Sequence, residues 1–186
     1  MQRTFHRIAT ATLAIALSAG AASALAADVM VGGAPMFPTK DIIDNAVNSK
    51  DHTTLVAAVK AAALVDTLQG PGPFTVFAPT NKAFGKLPKG TVDTLLKPEN
   101  KATLTKVLTY HVVAGTYDSK ALGKLIKKGQ GKASLKTVSG GTLWAMMDGS
   151  NIVLRDEKGG TSTVTQADVY QSNGVIHVVN AVLLPN

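Results

Sequence analysis

The sequence predicts an α+β fold built mainly on antiparallel sheets. Three observations carry this: apolar residues recur at helical spacing through the first half, strand-like runs separated by glycine turns fill the second half, and no regular βαβ alternation joins them. Between residue 39 and about 68, Ile42, Ile43, Ala46 and Val47, then Leu55, Val56, Val59, Ala63 and Leu64, fall near 3.6-residue spacing and predict two helices. Thr39 is placed to cap the first, and Gly70-Pro71-Gly72-Pro73 to stop the second. Residues 74–78 read as a buried strand, because the run is short, aromatic and β-branched and is bounded by prolines. Thr80 can cap a short helix through Phe84 and Leu87, and two helical stretches follow at residues 91–96 and 100–110, separated by Pro98. Val112-Val113 starts a second strand. A helix beginning at Asp118 or Ser119 then sets Leu122, Leu125 and Ile126 on one face and ends at Gly129. Strands are predicted near 134–138, 142–147, 152–155, 163–167 and 175–184, with turns at Gly140-Gly141, Asp148-Gly149 and Gly159-Gly160.

The last of these strands is apolar on both faces. Val175, Val179, Ala181 and Leu183 share one face with His177, and Ile176, Val178, Val182 and Leu184 share the other with Asn180. That pattern predicts a central strand. His177 and Asn180 must find partners there, since an unpaired buried polar group costs roughly 1–3 kcal/mol.

At the other end of the chain, Arg3 and Arg7 precede an apolar run from Ile8 to about Leu17, and Ala24-Leu25-Ala26 supplies the small residues of a cleavage site. We expect a secretory signal peptide over residues 1–26, a lead segment over 27–38 and one domain over 39–186. The apolar run is shorter than the roughly 20 residues of a spanning helix, so a membrane anchor is not expected. The processed chain is expected to be soluble and to work in the periplasm or outside the cell. Of the 186 residues none is Cys, which excludes a disulfide scaffold, a thiolate nucleophile and thiolate metal sites. Without Arg3 and Arg7 the chain carries 17 Lys and Arg against 12 Asp and Glu, a basic balance that suits anionic partners.

Two segments are more specific than periodicity explains: residues 74–84, which include Pro79, Thr80, Asn81 and Phe84, and residues 173–185, which include Asn173, Gly174, His177 and Asn180. Together with Tyr110-His111-Val112-Val113 they resemble the signature segments and the tyrosine-histidine element of the fasciclin (FAS1) domain family, over about residues 40–185. The resemblance implies helices packed on two β-sheets arranged as a wedge. It also implies a secreted or surface protein that mediates adhesion to cells or matrix, similar to the bacterial secreted single-domain members.

The candidate contact residues follow from that likeness and from the residues themselves. By resemblance to animal members, Tyr110 and His111 would form an integrin-contact element. Read physically, Leu104, Val107, Leu108 and His111 line one stripe, which turns His111 inward, while Tyr110 lies on another face with its hydroxyl free to reach solvent. Asp168 and Val169 match an aspartate-isoleucine position of matrix-binding relatives, and an Asp beside a turn is equally a turn residue. Lys120, Lys124, Lys127 and Lys128, with Lys132 and Lys136 beyond them, form the one charge cluster, free of acidic residues between Asp118 and Asp148. The cluster suits an acidic glycan or lipid surface, and Lys127 and Lys128 also suit a helix C-terminus. It contains no interleaved aromatic, so nucleic acid is not expected.

No nucleophile elbow, zinc-protease helix, phosphate loop or dinucleotide fingerprint is present, and His52, His111 and His177 are dispersed in sequence. The expected function is therefore a binding or adhesion module with no catalytic role, cofactor or metal. The alternatives are a periplasmic carrier of a small apolar ligand, held between helices and sheet, and a structural protein of the envelope.

Overall fold

The computed structural model describes residues 29–186. The expected signal peptide lies outside the described residues. The segment expected to lead into the domain is part of the fold. Strands β1 (Val29–Val31) and β2 (Ala34–Met36) form an antiparallel hairpin whose Val31 and Met36 are buried in the core. Two three-residue strands are too short for periodicity to betray them.

The first helical region is more broken than its spacing suggests. Helix α1 (Ile42–Ala46) is capped by Asp41, whose carboxylate accepts from the Asp44 amide at 2.8 Å, in place of the expected Thr39. A 3₁₀ turn at Lys50–His52 runs into α2 (Thr53–Ala61), and α3 (Val65–Gln69) follows. The break between α2 and α3 falls at Ala63, which adopts a left-handed φ of 57° that no helix can carry through. Strand β3 (Phe74–Pro79) leads to α4 (Asn81–Gly85), where the Thr80 hydroxyl accepts from the Ala83 amide at 3.2 Å. Then come α5 (Thr91–Leu95), a 3₁₀ turn at Pro98–Asn100, α6 (Lys101–Tyr110), β4 (Val112–Ala114) and α7 (Ser119–Lys128).

The remaining strands are β5 (Lys132–Lys136), β6 (Thr142–Asp148), β7 (Asn151–Arg155), β8 (Thr161–Gln171) and β9 (Gly174–Val179). They join β3 and β4 in a seven-stranded sheet of order β4-β3-β9-β8-β7-β6-β5, antiparallel except for the parallel β3–β9 pair. The long strand β8 serves both arms of the wedge: Thr161–Thr163 pair with β7, and the rest pairs with β9 through two register shifts. Bulges of this kind bend a strand and raise its twist. The bend brings the sheet's two ends together, where Val113 bridges Thr137 and the Val138 amide donates to the Val112 carbonyl at 2.8 Å.

Alternation along β3 and β9 separates two cores. Val76, Ala78, Ile176 and Val178 face the helical layer with Ile42, Leu55, Val59 and Leu104. Phe77 and Val179 face the inside of the curled sheet with Leu122, Ile126, Leu143 and Leu154. Strand β9 is central, as its two apolar faces predict, but it ends at Val179 and not at residue 184. From there Asn180 takes over the pairing: its amide donates to the Thr163 carbonyl at 3.2 Å, and its side-chain oxygen accepts from the Thr163 amide at 3.0 Å.

Candidate functional site

Tyr110 and His111 stand at the end of α6, and both are buried, at 0% and 2% exposure. The Tyr110 hydroxyl does not reach solvent. It donates to the Thr142 carbonyl at 2.6 Å and accepts from the Glu157 amide at 3.1 Å, because the turns before β6 and after β7 fold over the ring. Gly141 permits this closeness, since a Cβ there would sit 2.7 Å from the ring. Burial raises the phenol's pKa to about 12. The His111 ring spans from α6 to the C-terminal segment. Nδ1 lies 2.8 Å from the Val107 carbonyl and Nε2 accepts from the Leu183 amide at 3.0 Å, so the proton belongs on Nδ1. Burial lowers this pKa to about 4.

Neighbouring carboxylates complete the attachment. Asp156 accepts from the Leu184 amide at 2.9 Å and Glu157 from the Asn186 amide at 3.1 Å. The backbone amides of Asn186 and Thr142 hold the Glu157 pKa below its ordinary value. The tyrosine-histidine element is thus an internal latch that fastens the last residues to α6 and to the β6–β7 arm. As partner contacts, Tyr110 and His111 are corrected: neither presents a surface.

Asp168 and Val169 are placed by the β8 bulge. Asp168 takes a φ of 60°, which Asp tolerates better than most residues, and its carboxylate accepts from the Ser119 amide at 2.7 Å and from the Ser119 hydroxyl. Asp118 is the N-cap, accepting from the Ala121 amide at 2.7 Å, and this bond holds its pKa low. Two carboxylates therefore meet the positive end of α7. Val169 is 1% exposed and belongs to the core under the helical layer, so it too offers nothing to a partner.

The polar residues of the two signature segments act as internal fasteners. Asn81 accepts from the Thr54 amide at 2.9 Å and donates to the Lys50 carbonyl and the Thr53 hydroxyl, tying α4 to the start of α2. Asn173 accepts from the Ile42 amide at 3.1 Å and donates to the Leu68 and Gly70 carbonyls, tying α1 and α3 to the entrance of β9. Gly174 lies so close to β3 that a Cβ would fall on the Phe74 carbonyl oxygen. His177, fully buried, stacks on Phe77 with centroids 5.6 Å apart, and its Nε2 lies 2.7 Å from the Tyr117 carbonyl. Burial lowers its pKa as well.

The lysines remain on the surface. In α7, Leu122 and Ile126 are buried while Lys120, Lys124, Lys127 and Lys128 are exposed, with the last two at the helix C-terminus. Four residues later Lys132 opens β5, and its ammonium stands 4.7 Å from the centre of the Trp144 ring on β6. The lysine run has no aromatic within it in sequence, but the β5–β6 hairpin supplies one across the strands.

A cavity of about 60 Å³ lies in the core under the helices, lined by apolar side chains from α1, α2, β3 and β9 and by His52. His52 is 3% exposed. Its Nδ1 pairs with the Ser49 hydroxyl at 2.8 Å, its approach to the Ala78 backbone falls short of hydrogen-bond geometry, and Nε2 has no partner among the described residues. Burial lowers its pKa. In sequence His52 is merely one of several scattered histidines, and only the fold assembles the void beside it. Among the described residues, no group of three or more His, Asp or Glu side chains is placed to hold a metal ion. No described helix is long and apolar enough to cross a membrane.

Comparison with known proteins places this geometry. In fold, the chain is similar to a FAS1 domain pair from the insect cell adhesion molecule Fasciclin I, with a TM-score of 0.68 at 19% identity, covering 78% of this chain and 51% of that one. In sequence it is 47% identical to Protein sll1483 of Synechocystis over 145 residues, covering 77% of this chain and 73% of the relative. It is 36% identical to the immunogenic protein MPB70 of Mycobacterium bovis, over 75% of this chain and 66% of that one. Against human periostin it is 30% identical over 73% of this chain, but that match takes in only 15% of periostin. Residues 50–185 match the Fasciclin domain, and the chain belongs to the fasciclin domain family.

Proposed function

We propose that the chain is an exported fasciclin-domain binding module that meets a cell-surface or matrix component through the basic face of α7, without turning over a substrate. The observation that carries this reading is the division of the candidate residues. Tyr110, His111 and Val169 are spent inside the domain, while Lys120, Lys124, Lys127 and Lys128 stand exposed on one short helix. A cluster of ammonium groups on a rigid helix attracts an anionic partner over about a Debye length, roughly 8 Å at physiological salt. Family membership supports a binding or adhesion role, and the leading Arg3, Arg7 and apolar run support export.

The test is a pull-down and glycan-array screen with the processed chain and a Lys124→Glu, Lys127→Glu, Lys128→Glu variant. Capture of a surface, matrix or acidic glycan component by the wild type and its loss in the variant supports the reading. Equal capture by both overturns the basic-face assignment, and no capture by either overturns adhesion.

The cavity beside His52 favours a second reading, the carrier of a small apolar ligand. Its lining is apolar apart from groups such as His52 and Ser49, which is the environment that holds a hydrophobic guest with one hydrogen bond. Native mass spectrometry of the freshly isolated protein tests this: a retained small molecule supports it, and an unliganded mass alone contradicts it.

A further inference from the structure

The outward side of the β5–β7 arm carries a second surface. Ala133 and Leu135 on β5, and Leu143 and Ala145 on β6, are buried, and alternation turns their neighbours outward. Strand pairing sets Ser134 opposite Trp144 and Trp144 opposite Arg155. The row continues from Arg155 to Thr161 on β8, giving a span of about 14 Å at the roughly 4.8 Å spacing of neighbouring strands. Lys132, Lys136 and Arg155 are exposed around the indole, and among the outward residues of these three strands the one carboxylate is Asp148, at the far end of β6.

We infer that this surface, centred on Trp144, is a binding site for an acidic polysaccharide, one whose sugar rings carry carboxylates. The indole offers a flat apolar platform for the C–H face of a pyranose. The group now over its ring is the Lys132 ammonium, at 4.7 Å on a flexible four-carbon stem, and not a packed side chain. A sugar ring can take that place while Lys132 turns to the carboxylate it carries. Arg155 presents a planar fork suited to a carboxylate on the next ring, and Lys136 adds a third cation. The Ser134 hydroxyl supplies a donor and acceptor for sugar hydroxyls. Charge complementarity selects an anionic polymer, and a single flat indole between the Ser134 and Thr161 hydroxyls selects sugars among anionic polymers. The inference rests on the proposed extracellular binding role in taking a surface polymer as the partner, but it uses different residues from the α7 lysines.

Trp144 is the sole tryptophan of the chain, so its emission reports on this site alone. The experiment titrates the processed protein with polygalacturonate, with neutral dextran and with oligo-dT, following Trp emission and its quenching by iodide. It compares the wild type with an Arg155→Gln, Lys136→Gln variant and with a Lys124→Gln, Lys127→Gln, Lys128→Gln variant. The proposal expects a saturable emission change and at least twofold protection from iodide with polygalacturonate, and neither with dextran or oligo-dT. It expects tenfold or greater weakening in the sheet variant, and an unchanged tryptophan response in the helix variant. An unaltered emission at saturating polygalacturonate overturns it, as does equal affinity in the sheet variant or a response to oligo-dT alone. Polygalacturonate that binds through the α7 lysines without touching Trp144 emission would sink this site while leaving the proposed function standing.

Discussion

Lowering the pH should destabilise the folded chain through the latch at His111. In the folded chain Nε2 accepts from the Leu183 amide at 3.0 Å while Nδ1 lies 2.8 Å from the Val107 carbonyl, an arrangement open only to the neutral ring. Protonation would turn Nε2 into a donor facing a donor. Burial holds the folded pKa at about 4, against 6.5 for an unperturbed histidine. The unfolded chain therefore binds this proton first, and stability falls as pH drops from about 6.5 towards about 4. At pH 4.5 the loss relative to pH 7.5 comes to roughly 2–3 kcal/mol from this one group. His52 and His177, also lowered by burial, act in the same direction.

Urea unfolding at the two pH values, for the wild type and for His111→Gln, measures the effect. The variant should be less stable at neutral pH, and its loss on acidification should be smaller than that of the wild type by the same roughly 2–3 kcal/mol. Should the variant fail to fold, an NMR titration of the wild-type imidazoles reads the pKa directly. An identical pH dependence in both proteins, or a folded His111 that titrates near 6.5, would mean that the buried ring is not what links stability to pH.

Other expectations follow from the same geometry. Tyr110→Phe removes a hydroxyl that satisfies both the Thr142 carbonyl and the Glu157 amide, so it should cost about 1–3 kcal/mol in urea unfolding without weakening partner capture. Capture that fell with the fold intact would return Tyr110 to the contact surface. Gly174→Ala drives a methyl into the Phe74 carbonyl between paired strands, and circular dichroism should show a protein that unfolds far earlier or does not fold; near-wild-type stability would mean the β3–β9 approach is looser than described. Asp168→Asn keeps a side chain that tolerates the left-handed backbone but removes the charge at the start of α7, with an expected loss of about 0.5–1 kcal/mol in thermal unfolding and unchanged binding.

Much of this architecture is legible in the sequence because burial imposes periodicity. The amphipathic spacing of Leu122 and Ile126 locates α7, and apolar residues on both faces of β9 announce a central strand. What escapes is whatever depends on contacts distant in sequence. Nothing near Tyr110 says that Thr142 and Glu157 will close over its hydroxyl, because those partners lie on other strands. The β8 bulge reverses the alternation that would set the facing of Asp168 and Val169, so their burial cannot be counted from the strand's start. Trp144 lies eight residues beyond the last lysine of the cluster, and strand pairing alone sets it under Lys132.

The claim that this domain binds through its exposed cations, with the tyrosine-histidine element serving as an internal latch, meets its most direct test in the salt dependence of binding. The measurement follows attachment of the processed wild-type chain, and of the Lys124→Glu, Lys127→Glu, Lys128→Glu variant, to whichever surface component the screen captures, at about 50 and 300 mM NaCl. Attachment of the wild type should be tight at low salt and weaken steeply as salt rises, and attachment of the variant should be weak and nearly salt-independent. Attachment that is indifferent to salt and equally strong in the variant would contradict this claim.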